Sequence, residues 1–248
     1  MPNTTSRDRL IVALDMPTLE AARVLVHTLD DTVSFYKVGL ELLFAGGLGF
    51  AQELRHMKKR VFLDMKLLDI GNTIERAVAN AAELGVSFLT VHGTDSKTMR
   101  AAVCGRGDKP LKLLAVTVLT NLTAEDLVQQ GSSMAPAELV LHRARLAHRC
   151  GFDGVIASGQ EAQGIREATS PNFLIVTPGI RLPGGGADDQ VRITTPESAI
   201  MSGANHLVVG RPITEASDPK VMAETFLRHI REAHGRRARP ELIVDGRH

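Results

Sequence analysis

Asp64, Lys66 and Asp69 crowd three charges into one short stretch, Asp64-Met65-Lys66-Leu67-Leu68-Asp69-Ile70-Gly71-Asn72-Thr73. The stretch follows the apolar run Val61-Phe62-Leu63, which reads as a buried strand. Side chains two apart on a strand share a face, so Asp64 and Lys66 should point the same way as Phe62. Asp69 should lie just past the strand's end. Charge at a buried strand end is costly unless paired. Taken alone, the cluster fits a solvated turn or a structural ion pair as well as a group whose charges do chemistry.

The rest of the chain repeats the arrangement. The run Leu10-Ile11-Val12-Ala13-Leu14 stops at Asp15, and residues 33–39 form a second run with Lys37 on the face of Val33 and Phe35. Residues 86–91 lead to His92, and residues 113–119 to Thr120. Residues 173–177 lead to Pro178 and Arg181, and residues 206–209 to Gly210 and Arg211. Helical periodicity separates these runs: Leu19, Ala22, Leu25, Val26 and Leu29 after Pro17-Thr18, then stretches over 73–84, 96–103, 137–149, 160–168 and 219–233. Residues 121–136 read as a longer connection with a short helix at 123–129. With the run Gly154-Val155-Ile156-Ala157 between the helices at 137–149 and 160–168, eight strands alternating with helices predict a parallel (β/α)₈ TIM barrel, single domain, over residues 9–233. Residues 1–8 read as a flexible start, and residues 234–248, with Arg236, Arg237 and Arg239, as a basic flexible tail.

In such barrels reactive residues sit at the C-terminal strand ends, where this chain gathers its charge. The last two units suit phosphate. Gly179 and Gly184-Gly185-Gly186 let backbone amides approach an anion, and Arg181 and Arg211 offer planar paired donors. Gln190 can hydrogen-bond phosphate or a base edge.

Composition narrows the classes. A net charge of +1 gives no electrostatic case for nucleic acid or a membrane surface, and no apolar run approaches the roughly 20 residues of a membrane span. The polar start carries no signal-peptide core. Cys104 and Cys150 are isolated, which suggests small buried side chains in a reducing cytoplasm. The nine histidines show no metal-ligand spacing.

The pattern Asp64-x-Lys66-x-x-Asp69-Ile70-Gly71-x-Thr73 resembles the signature of the orotidine 5′-phosphate decarboxylase family. Leu14-Asp15, Lys37-Val38-Gly39, Pro178-Gly179-Ile180-Arg181 with Gln190, and Val209-Gly210-Arg211 extend the resemblance over residues 9–232. Gly71 stands where many members carry Pro. The resemblance implies conversion of orotidine 5′-phosphate to UMP and CO₂ without metal or organic cofactor. It implies that Lys66, Asp64, Lys37 and Asp69 are catalytic. Asp15 and Lys37 would meet the ribose, Thr120 the pyrimidine, and Arg181, Gln190 and Arg211 the phosphate. Pro178, Gly210 and the run from Met65 through Leu67, Leu68, Asp69, Ile70, Gly71 and Asn72 to Thr73 are implied around the substrate. A cytoplasmic homodimer is implied, with Asp69, Ile70 and Thr73 supplied across the interface. His92 is not carried over; a structural role beneath the site is expected. Sugar-phosphate lyases of the same superfamily use Mg²⁺ and carry Glu where this chain has Lys37, and a cation there is unfavourable beside a metal. A non-catalytic nucleotide binder would have lost Asp64 or Lys66.

Overall fold

The computed structural model describes residues 5–184 and 192–237. Gly185, Gly186, Gln190 and the tail beyond residue 237 lie outside the described residues. Eight parallel strands close into a barrel in sequence order: β1 (Leu10–Ala13), β2 (Phe35–Val38), β3 (Arg60–Leu67), β4 (Phe88–His92), β5 (Lys112–Val116), β6 (Gly154–Ile156), β7 (Leu174–Thr177) and β8 (His206–Val209). Helices alternate with them, as the sequence pattern predicts.

The strands read as unbroken apolar runs because both their faces are covered. One set of alternate residues fills the barrel: Ile11, Ala13, Phe35, Phe62, Phe88, Leu114, Val176 and Val208 form a single cluster. The other set, including Leu10, Val12, Tyr36, Val61 and Leu89, packs against the helices. The helix Leu19–Leu29 is typical. Thr18 caps it by accepting from the Ala21 amide, and Ala22, Leu25, Val26 and Leu29 face inward at helical spacing.

Below the site the interior is sealed by aromatic packing. Phe35, Phe88 and His206 stack edge to face, and the Arg60 guanidinium lies 4.1 Å from the centre of the Phe35 ring. His206 donates from Nδ1 to the Asp8 carbonyl at 2.9 Å. Burial, helped by nearby Arg60, lowers its pKa to about 3, so the ring is neutral at ordinary pH.

Extending the inward alternation by one step beyond the apolar layer reaches Asp15, Lys37, Asp64 and Thr90. That step carries the chain from core to site.

Several boundaries differ from the sequence reading. Strand β3 continues to Leu67 instead of stopping at Asp64, because a bulge accommodates the charged stretch. Leu63 pairs with Leu89 but Leu67 with Val91, so the bulged strand spends extra residues against its partner. Strand β5 ends at Val116, before Thr120. The helix after β3 begins at Gly71, and residues 234–237 belong to the helix Pro219–Arg237, not to a loose tail. Ser6–Arg9 is a helical turn closed by a reciprocal Thr5–Asp8 cap, where a flexible start was expected. The helical segment after β2 kinks at Gly46, whose φ of 102° lies in the region glycine favours. Cys150 is buried as expected, but Cys104 is exposed on the outer face of its helix.

Candidate active site

A cavity of about 810 Å³ opens at the C-terminal end of the barrel. Asp15, Lys37, Asp64, Lys66, Thr120, Pro178, Arg181, Gly210 and Arg211 all line it. The sequence placed each of these at a strand end or in the loop behind one.

Four of them form a chain of alternating charge. Lys37 Nζ donates to Asp15 Oδ1 at 2.7 Å and to Oδ2 at 3.0 Å. The same ammonium lies 3.6 Å from Asp64 Oδ2, which accepts from Lys66 Nζ at 2.8 Å. Lys37 is only 7% exposed, so its charge is tolerable only because carboxylates flank it. Burial pushes the Asp64 pKa up, but the Lys37 and Lys66 ammonium groups, with hydrogen bonds from Lys66 and Thr90, outweigh it and hold the carboxyl below its usual value. Asp64 is therefore an anion, and it holds both lysine side chains in place beside it.

Two local features make room for this network. Gly39 follows β2, and a methyl group there would lie 2.5 Å from Asp15 Oδ1 and 2.8 Å from Lys37 Nζ. Lys66 itself adopts φ +48°, a left-handed conformation uncommon outside glycine, asparagine and aspartate. The bulge in β3 creates that conformation and turns the Lys66 side chain onto Asp64.

The phosphate-suited loop is pinned at its base. Arg181 N–H donates to the Thr194 carbonyl at 3.0 Å, and Thr194 N–H to the Gly179 carbonyl at 3.1 Å. Gly179 has φ +72°, which explains its residue type. Arg181 is buried, with Nη1 donating to the Ile180 carbonyl at 3.0 Å. Arg211 opens the short helical turn after β8 and is exposed. Gln190 lies outside the described residues.

The remaining expected residues do not line the cavity of this chain. Met65 and Leu67 pack against the core between barrel and helices. Leu68, Asp69 and Ile70 are exposed beyond β3, with Asp69 Oδ1 accepting from the Ile70 amide at 2.6 Å. Gly71, Asn72 and Thr73 form the first turn of the following helix. His92 is half-buried, and its pKa is lowered by burial and by the nearby Arg143 and Lys66 charges.

Sequence reasoning missed two features. Thr90 is fully buried and joins Asp64 to the Lys66 backbone; the alternation Phe88-Thr90-His92 was the available signal. Arg192 is buried against Glu161 at 2.6 Å and donates from Nη2 to the carbonyls of Val118 and Leu119. It thereby ties the loop bearing Thr120 to the arm after β7. Nothing in the sequence separates it from a surface arginine. Among the described residues no group of three or more His, Cys, Asp or Glu side chains is placed to hold a metal ion.

A closed (β/α)₈ barrel with an ordered run of carboxylates and ammonium groups at its C-terminal mouth is an enzyme barrel of the kind that works on small molecules. Comparison with known proteins makes this specific: the chain belongs to the orotidine 5′-phosphate decarboxylase / HUMPS family, whose model matches residues 8–226. It is 50% identical over 227 residues to the orotidine 5′-phosphate decarboxylase of Rhodopseudomonas palustris (strain BisB5), covering 92% of this chain and 96% of that protein. It is 51% identical over 226 residues to the Bradyrhizobium sp. (strain ORS 278) enzyme of the same name, covering 91% and 93%. The crystal structure of orotidine 5′-phosphate decarboxylase from Lactobacillus acidophilus superposes with a TM-score of 0.79 at 37% identity, covering 89% of this chain and 98% of that one.

Proposed function

We infer that this chain converts orotidine 5′-phosphate to UMP and CO₂, the last step of de novo pyrimidine nucleotide synthesis, without a metal or organic cofactor. The observation that carries the reading is the alternating Asp15–Lys37–Asp64–Lys66 network on the cavity wall. Loss of CO₂ breaks the bond between C6 and its carboxylate carbon and leaves the electron pair on C6. No conjugated electron sink adjoins that carbon, so the site must stabilise the charge electrostatically. In this reading the Lys66 ammonium sits beside C6, offsets the developing negative charge, and then gives C6 a proton. Neutral Lys66 regains its proton from solvent. Asp64 holds the Lys66 ammonium in place, and in this reading it lies where the departing carboxylate would be.

Lys37 and Asp15 serve the ribose hydroxyls, Thr120 the pyrimidine, and Arg181, Arg211 and Gln190 the phosphate, with Pro178 and Gly210 shaping the loops that carry them. Phosphate contacts supply binding energy remote from the reacting carbon.

The site is completed in a homodimer. Asp69 stands between Leu68, 58% exposed, and Ile70, 73% exposed; apolar side chains this open suit an interface better than water. Asp69, Ile70 and Thr73 of each subunit then meet the partner's substrate, with Met65, Leu67, Leu68, Gly71 and Asn72 supporting that edge. Among the described residues no helix is long and apolar enough to cross a membrane, and the reading places the enzyme in the cytoplasm.

The test is the ultraviolet absorbance of orotidylate incubated with chelator-treated protein. The expected result is rapid, complete conversion to UMP. No conversion, or activity that requires added Mg²⁺, would overturn the reading.

A further inference from the structure

Thr90 has no solvent exposure and its hydroxyl is committed on both sides. It accepts from the Lys66 backbone N–H at 2.9 Å and donates its single hydrogen to Asp64 Oδ1 at 2.9 Å. Strand β4 does not need that hydroxyl. The backbone of β4 runs in unbroken register with β5 through Phe88, Leu89, Thr90, Val91 and His92, and Phe88, Leu89 and Val91 supply its packing. Strand β3 does need it. Its ladder to β4 is interrupted between Leu63 and Leu67, and within that gap Lys66 is held at φ +48°. The amide that loses its strand partner there finds the Thr90 hydroxyl instead. A buried amide without a partner would not persist, and a left-handed non-glycine residue persists only where its surroundings hold it.

We propose that Thr90 is a positioning residue for the decarboxylation. Through one hydroxyl it fixes both the direction in which Lys66 leaves the bulged strand and the orientation of the Asp64 carboxylate. The hydroxyl's other bond determines where each goes. The hydroxyl accepts from the Lys66 amide and gives its one hydrogen to Asp64 Oδ1, which leaves Asp64 Oδ2 to face Lys66 Nζ and Lys37 Nζ. The ammonium that must meet C6 and the carboxylate beside it are therefore set by a third residue that lies outside the cavity wall. This rests on the decarboxylase reading, because the geometry being fixed is that of the Lys66 proton donor.

The isosteric variant Thr90→Val removes the hydroxyl and keeps the shape. It leaves both the Lys66 amide and one Asp64 oxygen without their partner. Loss of buried hydrogen bonds of this kind corresponds to about a ten- to hundredfold effect. The effect should fall on kcat, with KM for orotidylate and the Kd for UMP little changed, since Thr90 meets neither ribose nor phosphate. Thr90→Ser, which retains the hydroxyl and loses only a methyl group, should recover most of the loss. Should Thr90→Val fail to fold, as judged by circular dichroism and thermal melting, Thr90→Ser against Thr90→Ala poses the same comparison at smaller volume. Wild-type kcat in the hydroxyl-free variant, equal losses with and without the hydroxyl, or a loss confined to KM would each overturn the proposal. Wild-type protein in the same orotidylate assay separates the two levels: an inactive wild type refutes the function itself, whereas an active wild type beside an equally active Thr90→Val refutes only the role of Thr90.

Discussion

Gly39→Ala tests whether the ion-pair network is as tightly fitted as it looks. The backbone of Gly39 sits at φ −98°, ψ −175°, which any residue adopts, so alanine introduces no backbone strain. What changes is space. The new Cβ would lie 2.5 Å from Asp15 Oδ1 and 2.8 Å from Lys37 Nζ. A carbon tolerates an oxygen no closer than about 3.3 Å, so Asp15 must retreat by roughly 0.8 Å. Such a shift breaks the 2.7 Å contact with Lys37. A hydrogen bond between charged groups contributes about 1.5–3 kcal/mol. The Asp15 side chain is 49% exposed, so water screens part of this and the lower end applies. The expected loss is about 10- to 30-fold in kcat/KM, at roughly 1.4 kcal/mol per factor of ten. Steady-state decarboxylation followed by ultraviolet absorbance measures it, with thermal melting to show that the fold is intact. Gly49→Ala is the control: a Cβ there meets nothing within 4 Å, so activity should be unchanged. A folded Gly39→Ala enzyme whose kcat/KM stays within about twofold of wild type would refute the tight-fit argument, since a displacement of Asp15 by that distance demands a larger loss.

Arg211→Ala should cost orotidylate roughly 2–5 kcal/mol in kcat/KM while barely affecting unphosphorylated orotidine, if its planar donors are covered by phosphate in the complex; equal losses on both substrates would show that Arg211 does not read phosphate. Lys66→Ala and Asp69→Ala, each expected to be nearly inactive, should regain activity when unfolded and reassociated together, because a hybrid dimer then holds one site with both residues intact. A mixture that stays inactive, with hybrids verified by mass spectrometry, would show that Asp69 acts within its own subunit. His206 titrates near 3 in the folded barrel against 6.5 ordinarily, so below that ordinary value the unfolded chain takes up a proton that the folded chain refuses. Stability should fall as pH drops through this window, by roughly 2–3 kcal/mol at about pH 4.5. His206→Phe should flatten that part of the slope in melting experiments, and an unchanged slope would contradict a neutral buried ring.

The barrel was legible because its strands are covered on both faces and so read as unbroken apolar runs, and because charged residues end those runs. Asp15, Lys37, Asp64 and Lys66 could be assigned to one wall by counting in twos. What could not be read is the bulge that brings Lys66 onto Asp64. A bulge with a positive φ is usually flagged by glycine, and here a lysine occupies it, held by a hydroxyl from the neighbouring strand. Thr90 is itself a good strand former, so on β4 it reads as packing. Arg192 illustrates the reverse difficulty. A charge beside a Gly-rich loop reads as solvated, whereas it is buried against Glu161 because the carbonyls of the Thr120 loop need its donors. The run from Leu68 to Thr73 is largely exposed beyond β3, and nothing in the sequence of a single chain says what would cover it.

In the proposed mechanism Lys66, held by Asp64, stabilises negative charge at C6 of the pyrimidine. The most direct measurement is the affinity of a UMP analogue carrying a negatively charged oxygen at that position, compared with UMP, for wild type and for Lys66→Ala. A site complementary to the carbanion should bind the charged analogue more tightly than UMP by a factor on the order of 10² or more, and Lys66→Ala should erase most of that advantage. Equal affinities in the wild-type enzyme, or an advantage that survives the loss of Lys66, would contradict the account.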